Sequence, residues 1–270
     1  MPRVVATARM SAPSGPNPFR VTWSILRALR SRRPAPTGTG AADHSRLIPI
    51  LESLRRDGVR SLVDLRGDIR EYRDHLAAID PDTLSAPGAL AYWLNLYNAG
   101  ALDVAADAAS RNESSVLRLP GAFQRVWVDI AGERLSLDAI EHGKIRRFGD
   151  PRVHAALVCG SASCPTLRYE PYVHDRVDDQ LDDQLRSFLA AGGAIADRRA
   201  GTLAVSRVFL WYGGDFTRPG RMPAWLPPRR PSLRRALQPW LRPEVAAWVD
   251  GEHPRLVFQR YDWTLACSIG

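Results

Sequence analysis

The chain has 270 residues, 45% of them hydrophobic and 24% charged, with a formal net charge of +8. That balance is ordinary for a globular protein and leaves room for one large domain or two small ones. No run approaches the ~18 consecutive apolar residues of a bilayer span, and three cysteines are too few for a secreted disulfide framework.

The positive charge is local. Arg3, Arg9, Arg20, Arg27, Arg30, Arg32 and Arg33 fall in the first 42 residues, which hold no carboxylate. Residues 216–243 carry seven more arginines and again no carboxylate, so the rest of the chain is net acidic; Lys144 is the only lysine. A basic arm attracts anionic surfaces, and weak contact of that kind is expected. Specific nucleic-acid binding is not expected, because no docking motif accompanies the charge. Near the start, Arg3 and Arg9 flank only a short apolar run, so a cytoplasmic, reducing setting is expected.

In chain order, residues 1–43 are rich in Pro, Ser, Ala, Gly and Arg and read as a disordered basic arm. Within them, residues 19–29 can form one basic amphipathic helix with Trp23, Ile25, Leu26 and Leu29 on its apolar side. A single domain is expected over residues 44–270, opening with Asp43 and Ser45 as capping side chains. Leu47, Ile48, Leu51 and Leu54 recur at helical spacing before Gly58. Leu62, Leu65, Ile69, Tyr72, Leu76 and Ile79 continue as a second helix, ended by Asp80-Pro81. The helix beginning after Ser85 is apolar on nearly every side and should be central. Asn95 and Asn98 lie on one of its faces, at i and i+3. Two buried amides imply either a polar wall of a site or bonds to neighbouring backbone.

Residues 124–130 and 133–135 suggest a hairpin turned at Ala131-Gly132, and Ser136 caps the helix after it. Glu141 and His142 sit in that helix. Adjacent side chains diverge by ~100°, so one of the two should face squarely inward. Residues 153–158 read as a buried strand running into a small-residue loop with Cys159, Gly160, Ser161, Ser163, Cys164 and Pro165. On a strand His154 and Cys159 point to opposite faces, which leaves Cys164 as the thiol nearer His154. Residues 177–189 form an amphipathic helix, and residues 203–205 and 208–210 are short strand candidates. Residues 217–231 are loop; 233–241 and 244–249 are helical, and residues 256–265 suggest a last strand containing Asp262. Without a strict βαβ rhythm the class is α+β, mostly helical with a small mixed or antiparallel sheet.

Four blocks resemble a known family. They are Ala-Tyr-Trp-Leu-Asn-Leu-Tyr-Asn-Ala from Ala91, Leu-Ser-Leu-Asp-Ala-Ile-Glu-His-Gly-Lys-Ile-Arg from Leu135, the cysteine stretch from Asp150, and Tyr261-Asp-Trp. Together they are similar to the signature of domain of unknown function 547, and Trp211-Tyr-Gly-Gly-Asp-Phe resembles a further block. The resemblance implies no established activity. Some relatives carry the domain beside a glutaredoxin-like one, which implies thiol chemistry by association only. The family tends to show Asn soon after the Asp-Trp pair, whereas Thr264-Leu-Ala-Cys follows here.

Three functions follow from the residues. The first is a thiol-dependent hydrolase or acyltransferase acting on a small molecule or peptide. Cys164 is its nucleophile and His154 its base, with Glu141, His142 and Asn98 in support and Asn95, Cys159, Ser163 and Asp262 lining the site. Papain-like hydrolases are its analogue at the level of fold. The second is a redox pair of Cys159 and Cys164, or a metal site adding His142 and His154, although the spacing lacks the C-x2-C form of common zinc sites. The third is a non-catalytic binding or scaffold domain. No cofactor is expected for any of them.

Overall fold

In a computed structural model that describes residues 18–224 and 226–270, the described chain opens with helix α1, Pro18–Ala28. The earlier part of the expected arm lies outside the described residues. Residues 24–40 depart from the expectation of a disordered arm, because they make contacts with the rest of the chain. Ala28 is buried. A Cβ on Gly143 would lie 2.5 Å from the Ala28 carbonyl oxygen, so only glycine allows this approach. The chain's one lysine, Lys144, is buried and donates to the Arg32 carbonyl at 2.6 Å, while Arg147 donates to the Ser31 and Leu29 carbonyls. Composition reads this stretch as disordered because backbone carbonyls, which no composition records, supply much of the docking. The expected apolar side of α1 also faces partly outward, with Trp23 64% exposed.

Helix α2 (Leu47–Asp57) follows, and Asp43 bonds Ser45 in a local turn instead of capping it. Helix α3 (Arg66–Ala77) buries Ile69, Tyr72 and Leu76. Next comes α4 (Ala86–Ser110), whose first turn is fixed by Pro87 and by the Ser85 hydroxyl accepting from Gly88 N–H. Its side chains from Gly88 to Ala108 are all buried, as its all-round apolar pattern requires. The larger apolar cluster forms around it, drawing on α2, α3 and the segments that follow.

Strands β1 (Val126–Ile130) and β2 (Glu133–Ser136) form the expected antiparallel hairpin. Ala131 and Gly132 both have positive φ, as a tight hairpin turn with right-handed strand twist demands. Ser136 caps α5 (Leu137–Gly143) through Ala139 N–H. The expected strand at 153–158 is replaced by a short helix, α6 (Val153–Ala156), followed by extended backbone from Leu157. An apolar run this short carries no period that separates a buried helical turn from a strand.

Helix α7 (Val177–Phe188) leads to β3 (Ala194–Asp197), which the sequence did not signal, and β4 (Thr202–Val205). The expected strand at 208–210 is instead helix α8 (Val208–Trp211), followed by α9 (Gly213–Thr217), α10 (Arg230–Leu237) and α11 (Pro243–Glu252). Strand β5 (Arg255–Phe258) pairs parallel with β4, which pairs antiparallel with β3. The architecture is α+β, with a mixed three-stranded sheet and a separate hairpin. A second apolar cluster joins this sheet to α7, α10 and α11. Among the described residues no helix is long and apolar enough to cross a membrane.

Candidate active site

The thiol loop is built from α4 outward. Asn98 donates to the Ala156 carbonyl at 3.0 Å and accepts from Val158 N–H at 3.1 Å, so one amide satisfies both backbone groups of the segment that enters the loop. Asn95 treats Tyr172 in the same way, donating to its carbonyl and accepting from its N–H. The two asparagines therefore bond to backbone; neither presents its amide to a pocket around the thiols. Gly160 turns the chain at φ +71°, where a Cβ would crowd Ala105 and Val116 at 3.2 Å.

That turn brings the two cysteines together. Their sulfurs are 3.0 Å apart and both thiols are free. The Cys159 N–H donates to Cys164 Sγ at 2.9 Å. Ser161 Oγ lies 3.1 Å and the Tyr261 hydroxyl 3.4 Å from Cys159 Sγ, and these two hydroxyls are themselves 2.9 Å apart. The C-terminal segment holds the loop from outside. Ala162 N–H donates to the Thr264 carbonyl and Ser163 N–H to the Asp262 carbonyl, while Ser163 Oγ accepts from Asp262 N–H. Ser163 and Asp262 thus fasten the loop, and the Asp262 carboxylate accepts from Thr264 N–H. Cys267 stands apart, its thiol pushed up to about 11 by burial.

The electrostatics of the pair are unequal. The hydrogen bond from Cys164, joined by those of Ser161 and Tyr261, outweighs burial and pulls the Cys159 thiol down to about 7. Burial and the neighbouring Cys159 sulfur push Cys164 the other way. Two sulfurs at this distance do not both ionise readily, so the pair carries at most one negative charge.

Glu141, His142 and His154 gather elsewhere, in a buried network around Asp215. The Asp215 carboxylate, fully buried, accepts from Arg146 at 2.8 and 3.0 Å, from Ala224 N–H at 2.6 Å, and pairs with His154 Nε2 at 2.8 Å. Burial raises the carboxyl, but the hydrogen bonds of His154 and Arg146 outweigh it and hold it well below its usual range. The Tyr212 ring stacks on His154 with centroids 4.0 Å apart. Burial lowers both His154 and His142, against the pull of Asp215 and Glu141 respectively, so the two imidazoles are held toward neutrality.

Glu141 and His142 are both buried, which corrects the expectation that only one would turn inward. Packing on several sides of α5 gives each an interior partner: Tyr97 on α4 donates to Glu141 at 3.0 Å, and His142 lies 3.3 Å from Arg146. Burial, followed by the charges of Glu141, Tyr212 and Cys159, pushes the Tyr97 hydroxyl well above its ordinary value, so it stays protonated.

His154 is not brought to Cys164. Its Nε2 is engaged with Asp215, and among the described residues no imidazole lies within hydrogen-bond reach of either sulfur. A strand here would turn His154 away from Cys159 and toward Cys164; helix α6 and the turn at Gly160 instead place the two thiols against each other. Nor do His142, His154 and the thiols form a four-ligand set: among the described residues no group of three or more His, Cys, Asp or Glu converges to hold a metal.

Residues 81–189 match the family described as "Protein of unknown function, DUF547". Over that segment the chain is similar to this family. No curated protein and no solved structure matches the chain. The matched segment supplies α4, the hairpin, α5 and the thiol loop, whereas Tyr212, Asp215 and Tyr261 come from beyond it. Sequence reasoning gave Arg146, Asp215, Tyr212 and Tyr261 no role. For Asp215 a signal existed: the two glycines before it have no room for a side chain, since a Cβ on Gly213 would meet Pro228 at 2.7 Å and one on Gly214 the Leu226 carbonyl oxygen at 2.6 Å.

Proposed function

We propose that the chain is a thiol–disulfide exchange protein with Cys159 as the attacking thiol and Cys164 as the resolving one. The observation that carries this is the 3.0 Å separation of two free sulfurs whose acidities are split in opposite directions. A thiol near pKa 7 combines a large thiolate fraction with retained nucleophilicity. Cys159 thiolate attacks one sulfur of a substrate disulfide and forms a mixed disulfide, and the departing thiolate takes up a proton. Cys164 then loses its proton and attacks the Cys159 sulfur, expelling the second substrate thiolate. Two electrons pass to the substrate, which leaves as two thiols, and the protein is left with a Cys159–Cys164 disulfide for a dithiol reductant to reopen.

Substrates of small-molecule or peptide size suit the surroundings. Tyr261, which touches Cys159, belongs to a group with Trp211 and Trp263 whose centroids lie 4.5 to 5.6 Å apart. Trp211 is 40% exposed, and this aromatic edge offers a place for an apolar group next to the reacting sulfur. A reducing cytoplasm would keep the pair as thiols between turnovers. The Cys164–His154 hydrolase has no comparable support, because the sulfur lacks a base.

The test uses a Cys267→Ser background. After equilibration in glutathione buffers of graded potential, residues 159 and 164 should lose both thiols together and form one intramolecular disulfide by peptide mapping. Cys164→Ser should accumulate a mixed disulfide on Cys159. Thiols that stay free across the series, or Cys159→Ser reducing oxidised glutathione as fast as the parent in the presence of dithiothreitol, would remove the reading.

A further inference from the structure

A second site lies apart from the thiols, where α3 crosses α4. Arg66, Arg70 and Arg73 are spaced i, i+4 and i+7 on α3, so they form one stripe. Together with Arg111 and Arg125 they line a cavity of about 360 Å³. Asp103 and Asp107, at i and i+4 on α4, line the same cavity and are nearly buried. Five guanidinium groups face two carboxylates in the walls, and Arg73 is also paired with Asp74 at 2.8 Å, which leaves two positive charges unmatched.

The two carboxylates fix the arginines in place. Arg66 Nε donates to Asp103 at 2.8 Å and a second Arg66 nitrogen to Asp107 at 3.1 Å. Arg111 Nε donates to Asp107 at 3.2 Å, and Arg70 and Arg125 lie 3.4 and 3.5 Å from Asp103 and Asp107. Asp103 also accepts from the Trp127 indole N–H at 3.0 Å. Arg70, Arg111 and Arg125 remain half exposed, each with N–H groups beyond those facing the carboxylates. Arg73 stands over the Trp127 ring at 5.7 Å, and Val104 and Ala122 add apolar wall.

We propose that this cavity between α3, α4 and the start of the hairpin binds a small phosphorylated organic anion. The chemistry follows from the count and the shape. A monocarboxylate would neutralise one of the two surplus charges, whereas a phosphate ester or diphosphate brings two or more and presents tetrahedral oxygens to several planar guanidinium forks. The volume exceeds what a bare phosphate fills and falls in the range of ligand sites. The apolar wall and Trp127 then take the organic part.

Calorimetric titration of the full chain with inorganic pyrophosphate, at fixed chloride, tests the site. Saturable binding at one site is expected, weakened about tenfold or more by Arg70→Ala and by Arg125→Ala, since each removes a charge-assisted hydrogen bond. Arg55→Ala, which does not line the cavity, should bind like the parent. Arg70→Lys and Arg125→Lys retain charge without the planar fork and should fall between parent and alanine variants, which covers the case of an alanine variant that folds poorly. Tryptophan emission should change on titration and stop changing in Trp127→Phe. Absence of saturable binding, or unchanged affinity in the Arg70→Ala/Arg125→Ala pair, overturns the proposal. So does sedimentation with phosphatidylcholine vesicles containing phosphatidylserine when pyrophosphate itself does not bind, since that would be a membrane surface and not a ligand cavity.

Discussion

Replacing Asp215 with alanine should be among the most damaging single changes in this chain. The carboxylate is fully buried and makes four contacts: two with Arg146, one with His154 and one with the Ala224 amide. Arg146 is 2% exposed, and among the described residues Asp215 is its one ion-pair partner, so the variant strands the guanidinium. Breaking a buried ion pair from one side costs about 3–5 kcal/mol, and the orphaned Ala224 N–H adds about 1 kcal/mol or more. Against an ordinary stability of roughly 5–15 kcal/mol, the variant should be near its unfolding limit. At roughly 2–4 °C per kcal/mol for chains of this order of size, the melting temperature should drop by about 10–20 °C. Urea unfolding followed by circular dichroism at neutral pH measures the loss directly. Asp215→Leu combined with Arg146→Met should cost less than Asp215→Ala alone, because no charge is left stranded. The pH dependence has a definite sign: the native carboxyl titrates below its unfolded value of 3.8, so its contribution is present above that pH and is lost as pH falls through the native value. A loss under about 1 kcal/mol for Asp215→Ala would mean that Arg146 finds water or another partner, and the account of the network would be wrong.

Three further outcomes are expected. His44 is buried with Nδ1 2.7 Å from the Tyr72 hydroxyl, and burial pulls its pKa to about 4 from 6.5. Its stabilisation is therefore complete above pH 6.5 and lost by about 3 kcal/mol on acidification toward pH 4; urea midpoints should show a steeper acid loss in the parent than in His44→Gln, and equal slopes would refute this. Gly143→Ala places a Cβ against the Ala28 carbonyl oxygen, so the end of α1 should detach at a cost of roughly 1–3 kcal/mol. Hydrogen exchange then reports it, with faster exchange at residues 28–33 expected and parent-like protection as the contrary result. Asn98→Ala leaves a buried carbonyl and a buried amide unpaired, which should cost about 2–5 kcal/mol and shift the pH profile of Cys159 alkylation. An unmoved profile would separate the asparagine from the thiol loop.

The features legible in the residue order are local ones. The all-round apolar pattern named α4 as the centre, Ala131-Gly132 marked the hairpin turn, and Ser136 marked the start of α5, because each depends on residues within a few positions of one another. The small loop carrying Cys159 and Cys164 was also visible, since five positions and a glycine suffice to close it. Short apolar runs were another matter. Residues 153–156 and 208–211 are helical, yet a run of that length satisfies a strand template equally well.

The surroundings of the chemistry depend on contacts between distant parts of the chain. His154 meets Asp215 across 61 positions, Arg146 meets Asp215 across 69, and Ser161 meets Tyr261 across 100. No periodicity encodes such pairings, because a buried charge finds whichever partner the packing of distant elements brings within reach. The same packing drew His154 into a buried hydrogen-bond network around Asp215 and left two sulfurs facing each other, so the spacing of residues exposed the thiols while the fold chose their neighbours.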